Sequence, residues 1–224
     1  MSAALPTDPR IAVTVLTGFL GAGKTTLLNQ LLRAPQGRRI AVIENELGEQ
    51  SIDGALLVNT ADEIVTLNNG CLCCTIRQDL VSALLALAER RQAGELQFDT
   101  VVIETTGVAE PAPVSQTLLA EPMIAARYRL DAVITLVDAI HAAGQLTSHK
   151  EAQAQVACAD LLLVSKSDHA QAQPLLELEP LLRRLNPLAP LRVIHHGQLD
   201  AGDIFERHAY DQQRPMAFTA ALAL

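Results

Sequence analysis

Apolar residues in this chain gather into short runs separated by polar and glycine-bearing segments. Residues 11–16 form a continuous, β-branched run that predicts a buried strand, and residues 26–33 behind it read as a helix. Further strands are predicted over residues 39–44, 64–67, 100–104, 132–137, 161–165 and 191–195, with a helix over 79–92. The connections 111–129, 149–157 and 170–185 read as helical or partly so, and Asn186-Pro187 stops the last of them. Strand and helix alternate without an internal repeat. The fold class predicted is α/β in three layers, with a mostly parallel central sheet and helices on both faces.

Composition narrows the picture. The chain has 224 residues, enough for one large domain or two small ones, and a formal net charge of -8. That balance argues against a general nucleic-acid or anionic-membrane binder, which would show a basic face. Aromatic residues are scarce and Trp is absent, so the core must rest on Leu, Val, Ile and Ala, as suits a helix-covered sheet. Residues 1–10 lack a secretory apolar stretch and no run reaches membrane-spanning length, so the expected location is cytoplasmic. Three of the four cysteines fall within residues 71–74, unlike the dispersed framework of a secreted disulfide scaffold, and reduced thiols fit better.

The chemistry-bearing segments follow strand ends. Residues 18–26, Gly-Phe-Leu-Gly-Ala-Gly-Lys-Thr-Thr, give a phosphate-binding loop in the context it requires, strand before and helix after. Gly18, Gly21, Ala22, Gly23, Lys24, Thr25 and Thr26 are the candidate nucleotide-binding set. The glycines let successive N–H groups converge on an anion at the positive end of a helix dipole. Lys24 would reach the β- and γ-phosphates, and Thr25 would offer its hydroxyl to Mg²⁺. After the fourth strand, Glu104 can hold Mg²⁺ directly or through water, and the Gly107 amide can meet a γ-phosphate; capping of the next helix is the other reading of Glu104. Lys24, Glu104 and Gly107 are the candidate catalytic set. Ser165-Lys166-Ser167-Asp168 is similar to the Asn-Lys-x-Asp guanine-reading motif, with Asp168 accepting from guanine N1 and N2 and Lys166 lying along the base. Ser165 stands where Asn is usual, which weakens guanine against adenine; a polar turn is the alternative.

Cys71, Cys73 and Cys74 place three thiols in four residues. Thiolates select soft or borderline ions such as Zn²⁺, but two or three do not fill a tetrahedral site, so a metal here needs another ligand or keeps an open position. Buried apolar cysteines and a redox pair remain alternative readings. The acidic loop with Glu44 and Glu49 follows the second strand and reads as a second metal contributor or a solvated turn. The histidines are scattered; His195 and His196 follow the last predicted strand. All these segments fall at the carboxyl ends of parallel strands, where open sheets bind ligands, so one composite rim is predicted.

Taken in order, GFLGAGKTT, ENELGE, NNGCLCC, ETTGVAEP and LVDA resemble the CobW-type metallochaperone GTPases, relatives of the urease and hydrogenase accessory GTPases. The resemblance runs from about Ile11 to about Gly197. It implies a P-loop NTPase fold and slow GTP hydrolysis with Mg²⁺. It further implies a second metal, Zn²⁺ or Co²⁺, at Cys71, Cys73 and Cys74, with Glu44 and Glu49 as secondary candidates. The partners implied are a guanine nucleotide, a transition-metal ion and a client apo-metalloprotein, with pairing of two copies compatible with the resemblance. The expected organisation is an extension at 1–10, a GTPase domain over 11–210 and a tail at 211–224 too short for the C-terminal domain common in such proteins. Two other functions stay open from the residues: a metal-responsive GTP-binding regulator without obligatory turnover, and an ATP-dependent kinase or transferase.

Overall fold

The computed structural model describes residues 8–45, 64–67, 74–168, 172–194, 199 and 201–210. The first apolar run forms β1 (Ile11–Gly18), followed by α1 (Lys24–Arg33), β2 (Ile40–Asn45), β3 (Ile64–Leu67), α2 (Cys74–Gln92) and β4 (Thr100–Thr105). Then come α3 (Ala112–Ala120), α4 (Pro122–Ala125), β5 (Tyr128–Asp138), α5 (Ala142–Ser148), α6 (Lys150–Ala157), β6 (Leu161–Ser165), α7 (Ala172–Leu185), β7 (Leu191–Val193) and α8 (Ala201–Ile204). The strands form one seven-stranded sheet in the order β3-β2-β4-β1-β5-β6-β7. Every pairing between neighbours is parallel.

Alternation within the strands assigns the layers. Val13, Val15, Ile43, Val101, Ile103 and Val133 face α2, α3 and α4, where Leu84, Leu87, Val114 and Leu118 close over them. Toward the β6 side of that same face, Val137, Leu162 and Val164 pack against α5, α6 and α7. Leu16, Val42, Val102, Ile134, Leu136, Leu161 and Leu163 point the other way, onto α1 and the α8 region through Leu27, Leu28, Ile204 and Phe205. A strand covered on both faces reads as continuous apolar sequence, which is why these runs were legible.

Several boundaries differ from expectation. Helix α2 begins at Cys74 rather than residue 79, so the last cysteine of the cluster opens the helix. Strand β5 begins at Tyr128 rather than residue 132, and its register against β1 shifts between Val13 and Thr14, which pair with Leu130 and Ala132. Asp131 is thus the extra residue of a bulge, and a bulge breaks the alternation by which strands are recognised. Strand β7 ends at Val193 instead of 195; Ile194 is still tied to β6 through its N–H to the Val164 carbonyl at 2.9 Å. Helix α5 falls in a stretch for which the sequence predicts no element, its seven residues being too few to show a period.

Candidate functional site

β1 lies at the middle of the sheet with β4 and β5 as neighbours, and its carboxyl end opens into the glycine-rich loop. Gly23 is the N-cap of α1 in a left-handed conformation (φ 95), which glycine adopts without the steric cost of a Cβ. No side chain caps α1, and its first turn carries no acidic residue. The early N–H groups of the helix and the positive end of its dipole are therefore left for an anion from elsewhere. Ala22 donates its N–H to the Phe19 carbonyl at 3.1 Å, tightening the turn. Lys24 is buried, and its Nζ donates to the Gly18 carbonyl at 2.8 Å, so the ammonium lies back across the loop. Burial pushes its pKa down, opposed by the charge of Glu104.

Thr25 and Glu104 meet across the loop, Oγ1 donating to Oε1 at 3.0 Å. Two hard oxygen donors in contact at the head of a helix are the kind of pair Mg²⁺ takes up along with waters and phosphate oxygens, so these residues fit that ion. Glu44 is the register neighbour of Glu104 on the adjoining strand, on the same face of the sheet as α1. On the opposite face Thr105 Oγ1 donates to Thr17 Oγ1 at 2.8 Å, joining the ends of β4 and β1. Gly107 then passes against the phosphate loop: a Cβ there would stand 2.7 Å from Leu20 N and 2.8 Å from Leu20 Cα. Thr26, the third residue of α1, is exposed.

The third wall comes from the end of β6. Ser165 Oγ donates to the Ala22 carbonyl at 2.7 Å, so the residue that departs from the Asn-Lys-x-Asp pattern nevertheless ties this turn to the phosphate loop. Lys166 adopts a left-handed conformation (φ 57) and donates Nζ to Asp138 Oδ2 at 2.8 Å. Asp138, buried at the end of β5 and in register with Ser165, also receives the N–H groups of Ile140 and His141 and the Nδ1 of His141. Burial works to raise its pKa, but Lys166, His141 and the Ile140 amide together outweigh it and hold the carboxyl below the usual range. Asp138 is thus a loop cap and the anchor of Lys166. Nothing in the sequence revealed the lysine as its partner. Asp168 follows at the exposed side of the turn.

The phosphate loop, Glu104, Gly107, Glu44 and the Lys166–Asp168 turn are accordingly gathered on one rim. Cys71, Cys73 and Glu49 lie outside the described residues, as do His195 and His196, while Cys74 begins α2. Among the described residues no group of three His, Cys, Asp or Glu is arranged to hold a metal ion, and no helix is long and apolar enough to cross a membrane.

Fold and loop together define a P-loop nucleotide-binding protein, with its ligand-facing segments at the switch point of a parallel sheet. Residues 12–192 match the family described as CobW/HypB/UreG, nucleotide-binding domain, and the chain belongs to that family. It is 47% identical over 201 residues to the zinc chaperone YjiA of Escherichia coli (strain K12), covering 89% of this chain and 62% of that protein. It is 34% identical over 214 residues to zinc-regulated GTPase metalloprotein activator 1 of Schizosaccharomyces pombe, covering 92% and 51% respectively. The crystal structure of Zn(II)-bound YjiA GTPase from E. coli matches with a TM-score of 0.74 at 40% identity, over 90% of this chain and 63% of that one. The chain therefore spans between about half and just under two thirds of the length of these relatives.

Proposed function

We propose that this chain is a slowly hydrolysing GTPase that couples its nucleotide state to the binding and transfer of a transition metal, Zn²⁺ or Co²⁺, held by Cys71, Cys73 and Cys74. The observation that carries the reading is the Thr25–Glu104 contact, with Glu44 in register beside it. It supports a reading in which the oxygen ligands of the nucleotide's Mg²⁺ lie beside the base of the acidic loop, since Glu104 and Glu44 are register partners on adjoining strands. The names of the relatives, a zinc chaperone and a zinc-regulated GTPase, support zinc as the cargo.

In this reading Gly18, Gly21, Ala22, Gly23, Thr25 and Thr26 wrap the phosphates with main-chain N–H groups, and Lys24 leaves the Gly18 carbonyl to pair with the β- and γ-phosphates. Thr25 and Glu104 hold Mg²⁺, which when bound neutralises charge gathering on the phosphate oxygens. Gly107 presents its N–H to the γ-phosphate and registers its departure, while Lys166 and Asp168 read guanine. Residues 11–210 act as one domain, supported by the Ala209 N–H bond to the Asp131 carbonyl at 2.9 Å. Helix α2 carries the coupling: it starts at Cys74, its Leu80 and Leu84 pack in one cluster with Val114 and Leu118 of α3, and α3 follows the Gly107 segment directly. A shift of that segment thereby reaches the thiolates, and the cargo passes to a client apo-metalloprotein.

The test is a Zn²⁺ titration of the wild type and of Cys73→Ala with GDP, with a non-hydrolysable GTP analogue and without nucleotide. Linked sites are ordinarily coupled by ~1–3 kcal/mol, so the wild-type affinity is expected to differ between nucleotide states by about 5- to 150-fold, and the variant to lose metal. Equal affinity in all three states would end the coupling reading; unchanged metal content in the variant would remove Cys73 from the site.

A further inference from the structure

We propose that Gln155, on the middle of the last turn of α6, positions the Gly107 segment against the phosphate loop and so sets how strongly the site distinguishes a nucleoside triphosphate from a diphosphate. The inference rests on the function proposed above and adds a residue outside the proposed nucleotide and metal sets. Gln155 is 1% exposed. Its Nε2 donates to the Gly107 carbonyl at 3.1 Å and to the Ala109 carbonyl at 2.9 Å, so both amide protons are spent on one loop. The orientation of the amide is settled by its partners, because an amide oxygen cannot satisfy two carbonyls. Oε1 is buried with no partner among the described residues. A side chain selected only to fill this space would be apolar and leave no such oxygen behind.

Gly107 is consequently held from two sides. Leu20 of the phosphate loop lies so close that no Cβ fits, and Gln155 grips the carbonyl. The Gly107 carbonyl and N–H lie in different peptide planes joined by the two freest torsions in the segment, so it is the holding of both the Gly107 and Ala109 carbonyls, together with the contact to Leu20, that limits where the N–H can point. Gln155 is itself fixed, its main-chain oxygen accepting from Thr135 Oγ1 at 2.8 Å. Thr135 is the register partner of Thr17, which accepts from Thr105 just ahead of Gly107. The other end of α6 is also anchored at the site: His149, its N-cap, lies over Phe19 of the phosphate loop with ring centroids 4.6 Å apart. Helix α6 therefore spans from one nucleotide-facing loop to the other. A triphosphate drawing the Gly107 N–H toward it works with the Gln155 clamp, whereas a diphosphate makes no use of it.

Gln155→Met keeps the length and bulk and removes both donors. The expected result is a ratio of triphosphate-analogue to GDP affinity reduced about five- to thirtyfold, the scale of one lost positioning contact, with GDP affinity unchanged within about twofold. At saturating GTP, kcat is expected to fall by a similar factor. A merely structural role would lower thermal stability and weaken both nucleotides alike, so an affinity ratio within about twofold of the wild type overturns the inference. If the wild type binds neither nucleotide, the proposed function falls and this inference falls with it; if the wild type discriminates and the variant does so equally, only the inference falls. Should Gln155→Met not fold, the ¹⁵N-labelled wild type gives a second reading. The Gln155 side-chain amide resonances are expected to differ between the GDP and triphosphate-analogue complexes, and coincident resonances overturn the proposal.

Discussion

At Gly107 a Cβ would stand 2.6 Å from Leu20 Cδ2 and nearly as close to the Leu20 main chain, so the segment and the phosphate loop cannot both keep their places around any larger residue. Gly107→Ala is expected to force them apart at a cost of about 1–3 kcal/mol, the range for overpacking, and to weaken binding of a fluorescent GTP analogue by at least about tenfold. Equal affinity in a direct titration would show that the two loops need not touch. This residue was legible because Glu104-Thr-Thr-Gly107 carries its own spacing. Ser165 was less so. Comparison with Asn-Lys-x-Asp showed what the position had lost, and only the fold showed that a hydroxyl in its place reaches the Ala22 carbonyl. Gln155 carried no signal in the sequence, since a lone glutamine on a helix acquires meaning only from loops nearly fifty residues away that come to rest on it.

Among the elements, the strands buried on both faces were read closely, and α2 and β5 were not. The misreading of β5 comes from polar residues with partners elsewhere in the chain. Arg129 and Asp131 interrupt the apolar pattern of β5, yet Asp131 is buried, accepting from Arg129 and from the N–H groups of Arg207 and His208. The start of β5 is also where α2 is fastened to the sheet: Tyr128, fully buried, donates its hydroxyl to the Leu84 carbonyl at 2.7 Å. Tyr128→Phe keeps the ring and loses that bond. About 1 kcal/mol of stability is expected to go with it, lowering the melting temperature by ~2–4 °C in a chain of this size. Because α2 begins at Cys74, the same variant is expected to reduce the effect of nucleotide on Zn²⁺ affinity, measured in the same titration as for Cys73→Ala. An unchanged nucleotide effect would show that α2 transmits without this anchor.

For the molecule as a whole, residues 205–210 close over the lower end of the sheet, opposite the rim. Phe205 enters the core, Ala209 bonds to the Asp131 main chain, and the Tyr210 hydroxyl donates to Asp160. Asp160 is raised from an ordinary 3.8 to about 6, chiefly by burial and further by Asp131, against the Val133 amide, Tyr210 and Arg207, which pull it down. A carboxyl whose folded pKa lies above its unfolded value holds its proton more tightly in the folded chain. Its contribution therefore favours folding at low pH and is lost as pH rises through about 6. Relative to Asp160→Asn, which cannot titrate, the wild type is expected to gain about 1 kcal/mol on going from about pH 8 to about pH 5, checked by urea melts of both proteins. Parallel pH profiles would show that Asp160 titrates normally. The order of the strands has a further consequence for how this chain is made. Gly18 is in register with Leu136, and Ala12 with Thr100, so the phosphate loop leaves the ribosome long before either neighbour of β1 exists. At ~5–20 residues per second the wait for the first of them, β4, lasts roughly 4 to 16 seconds. Throughout it, β1 is an apolar strand with both edges open, a nascent segment for a chaperone to shield.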